Sequence, residues 1–546
     1  MILALLLSVA APADLIVTDA RIYTVDAAHP RAAALAVKDG RVAFVGSERE
    51  ALALRGPATR VVDARGNTVI PGMVDAHAHL LGLGLSLKAV KLAGTRSYDE
   101  VIRRVVERAK DTPKGAWIQG RGWDQNKWGD TRFPTHDALS KATPDHPVVL
   151  TRVDGHAVLA NAAAMKAADV TAATRDPQGG RIERDAEGNP TGVFVDNAKQ
   201  IIQRVVPAPT KEDLHQAALA AIREAQSFGL VGIHDAGEPR AVIDVFEEMA
   251  KRSEFGLRGY IMVSDNAQDL DHYFARGPQS ALYDGHLWIR TVKLYADGAL
   301  GSRGAALLDP YADDPHNNGL LVSSPEHLRD VATRALKAGF QVATHAIGDR
   351  GNRVILDAYE AALNAVPKAD HRFRVEHAQV LSPADIPRFA RLGVIPSMQG
   401  AHQASDMTWA EARLGYARTL GAYAWRSLLD TGVVIPNGSD FPVERTNPLY
   451  SFHAAVTRTN DDGWPHGGWF PAEKMTREEA LRSMTLWPAF AAFQEQEMGS
   501  LSPGKYADFV ILDHDIMTVA DDRILQTRVI ATYLNGKAVY ERPSGE

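Results

Sequence analysis

The chain has 546 residues, too many for one ordinary core, so it reads as one large domain with additions or as two to three domains. Hydrophobic residues make up 45% and charged residues 23%, near the globular average, which points away from disorder and from a membrane class. Sixty basic against 67 acidic residues give a net charge of -7 with no basic block, so small molecules are expected as partners rather than nucleic acid or membrane. There is no cysteine, which removes disulfides, thiolate metal sites and cysteine nucleophiles together.

Residues 1–13 open with a short apolar segment ending in Ala11-Pro12-Ala13. It is too short to span a bilayer and resembles a secretory leader without the usual preceding positive charges. A leader implies a periplasmic or secreted protein; read as a frayed extension, it leaves a cytoplasmic one. From residues 14–67 the pattern is strand-like, with a hairpin signal at Asp39-Gly40. Residues 496–546 answer it with the run 509–512 and a second hairpin around Asn535-Gly536. The two ends are expected to build one small β-sandwich.

Between them lie apolar runs alternating with amphipathic helices. The first barrel strand, in residues 68–87, holds TVIPGMVDAHAH. Seven further strands are expected at 230–234, 258–263, 289–296, 340–344, 372–376, 393–397 and 433–438, within the longer barrel segment 208–495. Helices are expected at 211–227, 326–338, 352–365 and 477–492, among others. Eight buried strands with intervening helices define an α/β fold, a (β/α)8 TIM-like barrel whose active site lies at the carboxyl ends of its strands. Residues 88–207 break the alternation and read as an insertion after the first barrel strand, placed over the barrel mouth.

His77 and His79 stand two apart at a strand end, so both rings face one side and can converge on a cation. Lys293, His345, His377 and Asp440 each fall at the end of another expected strand. Four histidines and an aspartate at such ends point to a metal site. An ordinary ammonium at Lys293 would repel a cation. It is therefore misassigned, paired with a carboxylate, or converted by carbon dioxide into an anionic carbamate that could bridge two ions.

His77-x-His79, Lys293, His345, His377 and Asp440, with the motifs PGMVDAHAHL, GRGWD, VKLYADGALGSRGA, HAIGDR, RVEHAQ and SDFPVE, resemble the amidohydrolase superfamily over nearly the whole chain. More specifically they resemble its family-3 branch, which includes N-substituted formamide deformylases. The resemblance implies His77, His79 and Asp440 on one metal, His345 and His377 on a second, and carboxylated Lys293 between them, in a binuclear centre. A one-metal site with unmodified lysine is the alternative. Zinc suits nitrogen and oxygen ligands without thiolate. Asp440 would serve as catalytic base and then acid, in cleavage of an amide, N-acyl, formamide or cyclic amide bond.

The same site could open esters, lactones or carbamates, and a non-catalytic binding barrel is the alternative from another class. His156 is a second catalytic candidate, against a structural hydrogen bond. Arg303 is a candidate for a substrate carboxylate, against pairing with Asp297 or Asp309. Trp123, Trp128, Trp409 and Phe441 are candidates for an apolar substrate wall, against ordinary packing. His234 points to the same face with no assigned role. A homodimer is compatible with such a barrel, although no interface is legible in the chain.

Overall fold

The computed structural model describes residues 11–543. Most of the expected leader therefore lies outside the described residues. Eight parallel strands form the barrel: β1 (Met73–Ala78), β2 (Leu230–Glu238), β3 (Arg258–Val263), β4 (Leu287–Tyr295), β5 (Gln341–Ala346), β6 (Arg374–His377), β7 (Ile395–Gln399) and β8 (Asn437–Gly438), paired in that order. Closure between β8 and β1 comes just past the strand ends. Asp440 N–H donates to His77 O at 2.7 Å and His79 N–H to Phe441 O at 2.9 Å. Gly438 is required there, because a Cβ would stand 2.5 Å from His77 N.

The surrounding helices begin and end where local chemistry tells them to. Thr210 and Asp213 make a reciprocal capping box at the start of α1 (Lys211–Ser227). Ser324 caps α2 (Pro325–Ala338), which has proline in its first turn and Gly339 in the left-handed conformation, at a φ of 83°, after its end. One expectation fails here: residues 477–492 are two helices, Arg477–Ser483 and Leu486–Ala491. The chain turns at Thr485, and Pro488, which could not sit in the interior of a continuous helix, falls in the first turn of the second.

The terminal strands pair across the whole length of the sequence. Thr68–Pro71 runs antiparallel to Phe509–Leu512 in a six-stranded sheet, while Leu15–Thr18 lies in a four-stranded sheet facing it. Leu15, Val17, Val37, Val69, Phe509, Ile511 and Tyr533 share the core between them. Arg258 ties this unit to the barrel floor, with Nε and Nη2 at 2.5 and 2.9 Å from the Asp508 carboxylate. After β1 the inserted segment builds its own six-stranded sheet between Val90–Lys91 and Pro190–Asp196, over a separate core that includes Trp123, Trp128 and Leu150.

Candidate metal centre

β1 delivers His77, buried, and then His79 just past the strand. Asp75, on the same side, accepts from Ser439 Oγ at 2.6 Å and Ser439 N at 3.0 Å. That clamp fixes the residue next to Asp440. Asp440 has a φ of 58° and His377 a φ of 73°, both in the left-handed region, which costs on the order of 1–3 kcal/mol each for such residues. The strain has a geometric return at β6. In a regular strand His377 would face away from Arg374 and Glu376; the turn at its own φ brings its ring back to the barrel mouth.

The side chains expected to hold metal meet at this rim. Asp440 Oδ1 lies 3.2 Å from His79 Nε2 and 3.7 Å from His77 Nε2. Lys293 Nζ is 3.3 Å from His77 Nε2. The His77 and His377 ring centroids are 4.8 Å apart, and those of His377 and His345 are 4.6 Å apart. In the β4–β5 register Tyr295 pairs with His345, so Lys293 enters two residues deeper and forms the floor of the cluster. One donor atom each from His77, His377 and Asp440 lie within 4.8 Å of one another.

Partners behind the cluster set which nitrogen points inward. Glu376 Oε2 holds His77 Nδ1 at 2.5 Å and Gln399 Oε1 holds His377 Nδ1 at 2.7 Å, leaving both Nε2 atoms to the centre. Burial, then the Lys293 charge, lowers the His77 imidazole to about 4. Burial also holds His345 and His377 well below the usual range. Burial works the other way on Asp440, but the His79, His77 and His377 imidazoles beside it outweigh it and keep the carboxyl well below its ordinary value. Neutral imidazoles around an ionised carboxylate are a donor set for a divalent cation. Asp440 Oδ1 is buried without a hydrogen-bond partner. These residues fit a metal ion.

A cavity of about 1040 Å³ opens above the cluster, walled by the barrel rim and by the insertion. His156 reaches into it from the insertion, its ring 5.0 Å from that of His345 and its Nδ1 2.6 Å from Asp196 Oδ1. Trp409 is on the wall as well.

Four residues expected to contact substrate are elsewhere. Trp123 is fully buried in the insertion core with Nε1 donating to Leu150 O, and Phe441 is fully buried in the main core; neither lines the cavity. Arg303 pairs with Asp313 at 3.0 Å, not with Asp297 or Asp309, and also stays off the wall. Trp128 is buried with Nε1 on Thr95 O. His234 lies below the site because β2 runs on to Glu238; it meets Arg374 Nη1 at 2.8 Å.

Sequence reasoning passed over Asp75, Glu376, Gln399, His402 and Asp297. The first two had a signal, lying two residues before His77 and one before His377. The others had none, since nothing local announces that Gln399 will back His377, that His402 Nε2 will stand 3.7 Å from Asp440 Oδ2, or that Asp297 Oδ1 will stand 3.7 Å from His345 Nε2.

A parallel eight-stranded barrel carrying imidazoles, a carboxylate and a lysine at its carboxyl rim defines a metal-dependent hydrolase. The chain belongs to the amidohydrolase family, whose profile matches residues 60–540. It is 35% identical over 541 residues to the protein LONG AFTER FAR-RED 3 of Arabidopsis thaliana, covering 97% of this chain and 92% of the plant protein. It is 29% identical over 554 residues to the N-substituted formamide deformylase of Arthrobacter pascens, covering 97% and 98%. The solved structure of an uncharacterized metal-dependent hydrolase from Pyrococcus horikoshii superposes with a TM-score of 0.75 at 27% identity, over 93% of this chain and 99% of that one.

Proposed function

We propose that this chain hydrolyses a carbon–nitrogen bond other than a peptide bond in a small molecule, an amide, N-acyl, formamide or cyclic amide, with one or two zinc ions as cofactor. The carrying observation is the convergence of His77, His79, His377 and Asp440 around a buried lysine under a roofed cavity. His77, His79 and Asp440 would hold one ion and His345 and His377 the other. Burial brings the Lys293 amine down to about 8, so a fraction of it is neutral near pH 7. That nitrogen attacks carbon dioxide and loses a proton, giving a carbamate with two oxygens to share. A zinc ion, when bound, supplies a Lewis acid and a water acidic enough to attack a carbonyl at neutral pH.

The remaining chemistry belongs to the chain. Asp440 Oδ1, the oxygen without a hydrogen-bond partner, takes the proton of the attacking water and returns it to the leaving nitrogen. His156, held through Nδ1 by Asp196 Oδ1 at 2.6 Å, is the insertion side chain placed to stabilise the carbonyl oxygen as negative charge develops there. The insertion supplies one wall of the cavity above the centre.

The test is metal analysis of the purified protein with a panel of formamides, N-acyl amino acids, cyclic amides and esters. Zinc-dependent amide cleavage, abolished by a chelator and by Asp440→Asn with the fold intact, is the expected result. Turnover indifferent to the chelator, or confined to esters, overturns the reading.

A further inference from the structure

Three arginines line the cavity, and two of them are neutralised in place. Arg152 is gripped by Asp124 at 2.8 Å, Asp154 at 2.5 Å and the Gln125 side chain at 2.8 Å. Arg445 pairs with Asp461 at 2.7 Å. Arg121 forms no ion pair with any described residue. Its only side-chain hydrogen bond runs from Nη2 to Val153 O at 3.3 Å, and its Nε is buried without a partner. The backbone beneath it is fixed: Arg121 pairs with Thr151 between two parallel strands, and its carbonyl accepts from Leu92 N at 2.8 Å.

An arginine keeps its charge under any ordinary condition, and a half-buried guanidinium without a counter-ion is left incompletely compensated. A fold that keeps one on a cavity wall has left a position for an anion. The electrostatic surroundings agree. Burial disfavours the Arg121 guanidinium, and the carboxylate that most offsets this is Asp440, so Arg121 lies within the field of the reacting centre. The other cations of the wall, Lys91 and Lys127, are exposed side chains.

We propose that Arg121 is a specificity-determining residue that binds a carboxylate of the substrate, so that the substrate is a carboxylated amide of the N-acyl amino acid kind and not a neutral one. The proposal rests on the hydrolase reading above and narrows it. A planar carboxylate can take two parallel N–H bonds from a guanidinium, and Val153 O already restrains the orientation of this one.

The probes are N-acetyl derivatives of alanine, leucine, methionine and phenylalanine, in both configurations, each beside its C-terminal carboxamide. Binding is measured by calorimetry and turnover with zinc-loaded protein. We expect the preferred carboxylate to bind at least about tenfold more tightly than its carboxamide, as a charge-assisted hydrogen bond predicts. Arg121→Gln should lower kcat/KM for the carboxylate by about 100-fold and for the carboxamide by less than about threefold, with Arg121→Lys in between. The proposal is overturned if no carboxylate is preferred by the wild-type protein, or if Arg121→Gln weakens both members of a pair alike. If the carboxylate preference is present and depends on Arg121 while nothing is hydrolysed, the hydrolase reading fails and the anion site stands.

Discussion

Glu376 Oε2 stands 2.5 Å from His77 Nδ1, both side chains being almost completely buried at the floor of the metal centre. The same carboxylate lies against Arg374, whose Nη2 also donates to Ala76 O and Ser397 Oγ. Burial would raise the Glu376 carboxyl, but Arg374 and His77 outweigh it and hold it at about 2. One negative charge thus orients the His77 imidazole at the candidate metal centre and compensates a guanidinium inside the barrel.

Glu376→Gln keeps the shape and removes that charge. Zinc affinity should fall by about 10–100-fold, the usual effect of altering a partner behind a metal-binding histidine. Competition against a colorimetric chelator measures it, with circular dichroism to show that the barrel persists. Unchanged affinity would mean that Glu376 serves Arg374 alone.

Lys293→Ala removes the floor of the cluster, where Nζ is 3.3 Å from His77 Nε2. Bound metal per chain should drop, and acetate or propionate at millimolar concentration should restore some of it by supplying the missing carboxylate oxygens. If neither metal content nor turnover responds to added carboxylate, the carbamate assignment is wrong.

Glu444 lines the cavity and accepts from Ser405 Oγ at 2.5 Å, and burial pushes its carboxyl up to about 7. Its unfolded value is about 4.3. The folded state therefore binds the proton more tightly, a contribution complete below about pH 4.3 and lost as pH rises through about 7. For metal-free protein the melting temperature should fall across this interval, and Glu444→Gln should make that fall shallower. Identical pH profiles for the two proteins would contradict the assignment.

Asp508 joins the terminal sandwich to the barrel through Arg258, and its Oδ1 also accepts from Asn535 N at 2.8 Å. Asp508→Ala leaves a buried guanidinium without its carboxylate, which costs about 3–5 kcal/mol. The urea midpoint should move down accordingly, while folded protein retains its normal metal content, because the centre lies at the opposite end of the strands. Loss of metal at full foldedness would show that the two ends are coupled.

The rim cluster was legible because each member sits at the end of a recognisable apolar run, and in a parallel barrel all such ends fall on one rim. Where that inference erred, it was through strand length or side-chain direction. His234 looked like a strand end, but β2 continues four residues to Glu238 and leaves it in the interior. Trp123 sits two residues past Arg121, which does line the cavity, yet its indole turns into the insertion core and is held by Leu150 O. Phe441 follows Asp440 directly and points the other way.

Arg121 and Arg303 divide the matter most plainly. Both are arginines in glycine-containing motifs, and the chain alone offered Arg303 as the anion binder. Asp313, ten residues on, folds back to pair with Arg303, while Arg121 is left facing the cavity without a counter-ion among the described residues.

By itself the sequence determined the barrel, the sandwich shared by its two ends, and the six side chains at the rim, because hydrophobic periodicity and strand-end position are local properties of the chain. Only the tertiary structure decided which partner stands behind each imidazole, which aromatic rings are buried, and which arginine of the cavity wall has no counter-ion among the described residues. Those are distances of a few ångström between residues tens or hundreds apart in the chain, and no local pattern encodes them.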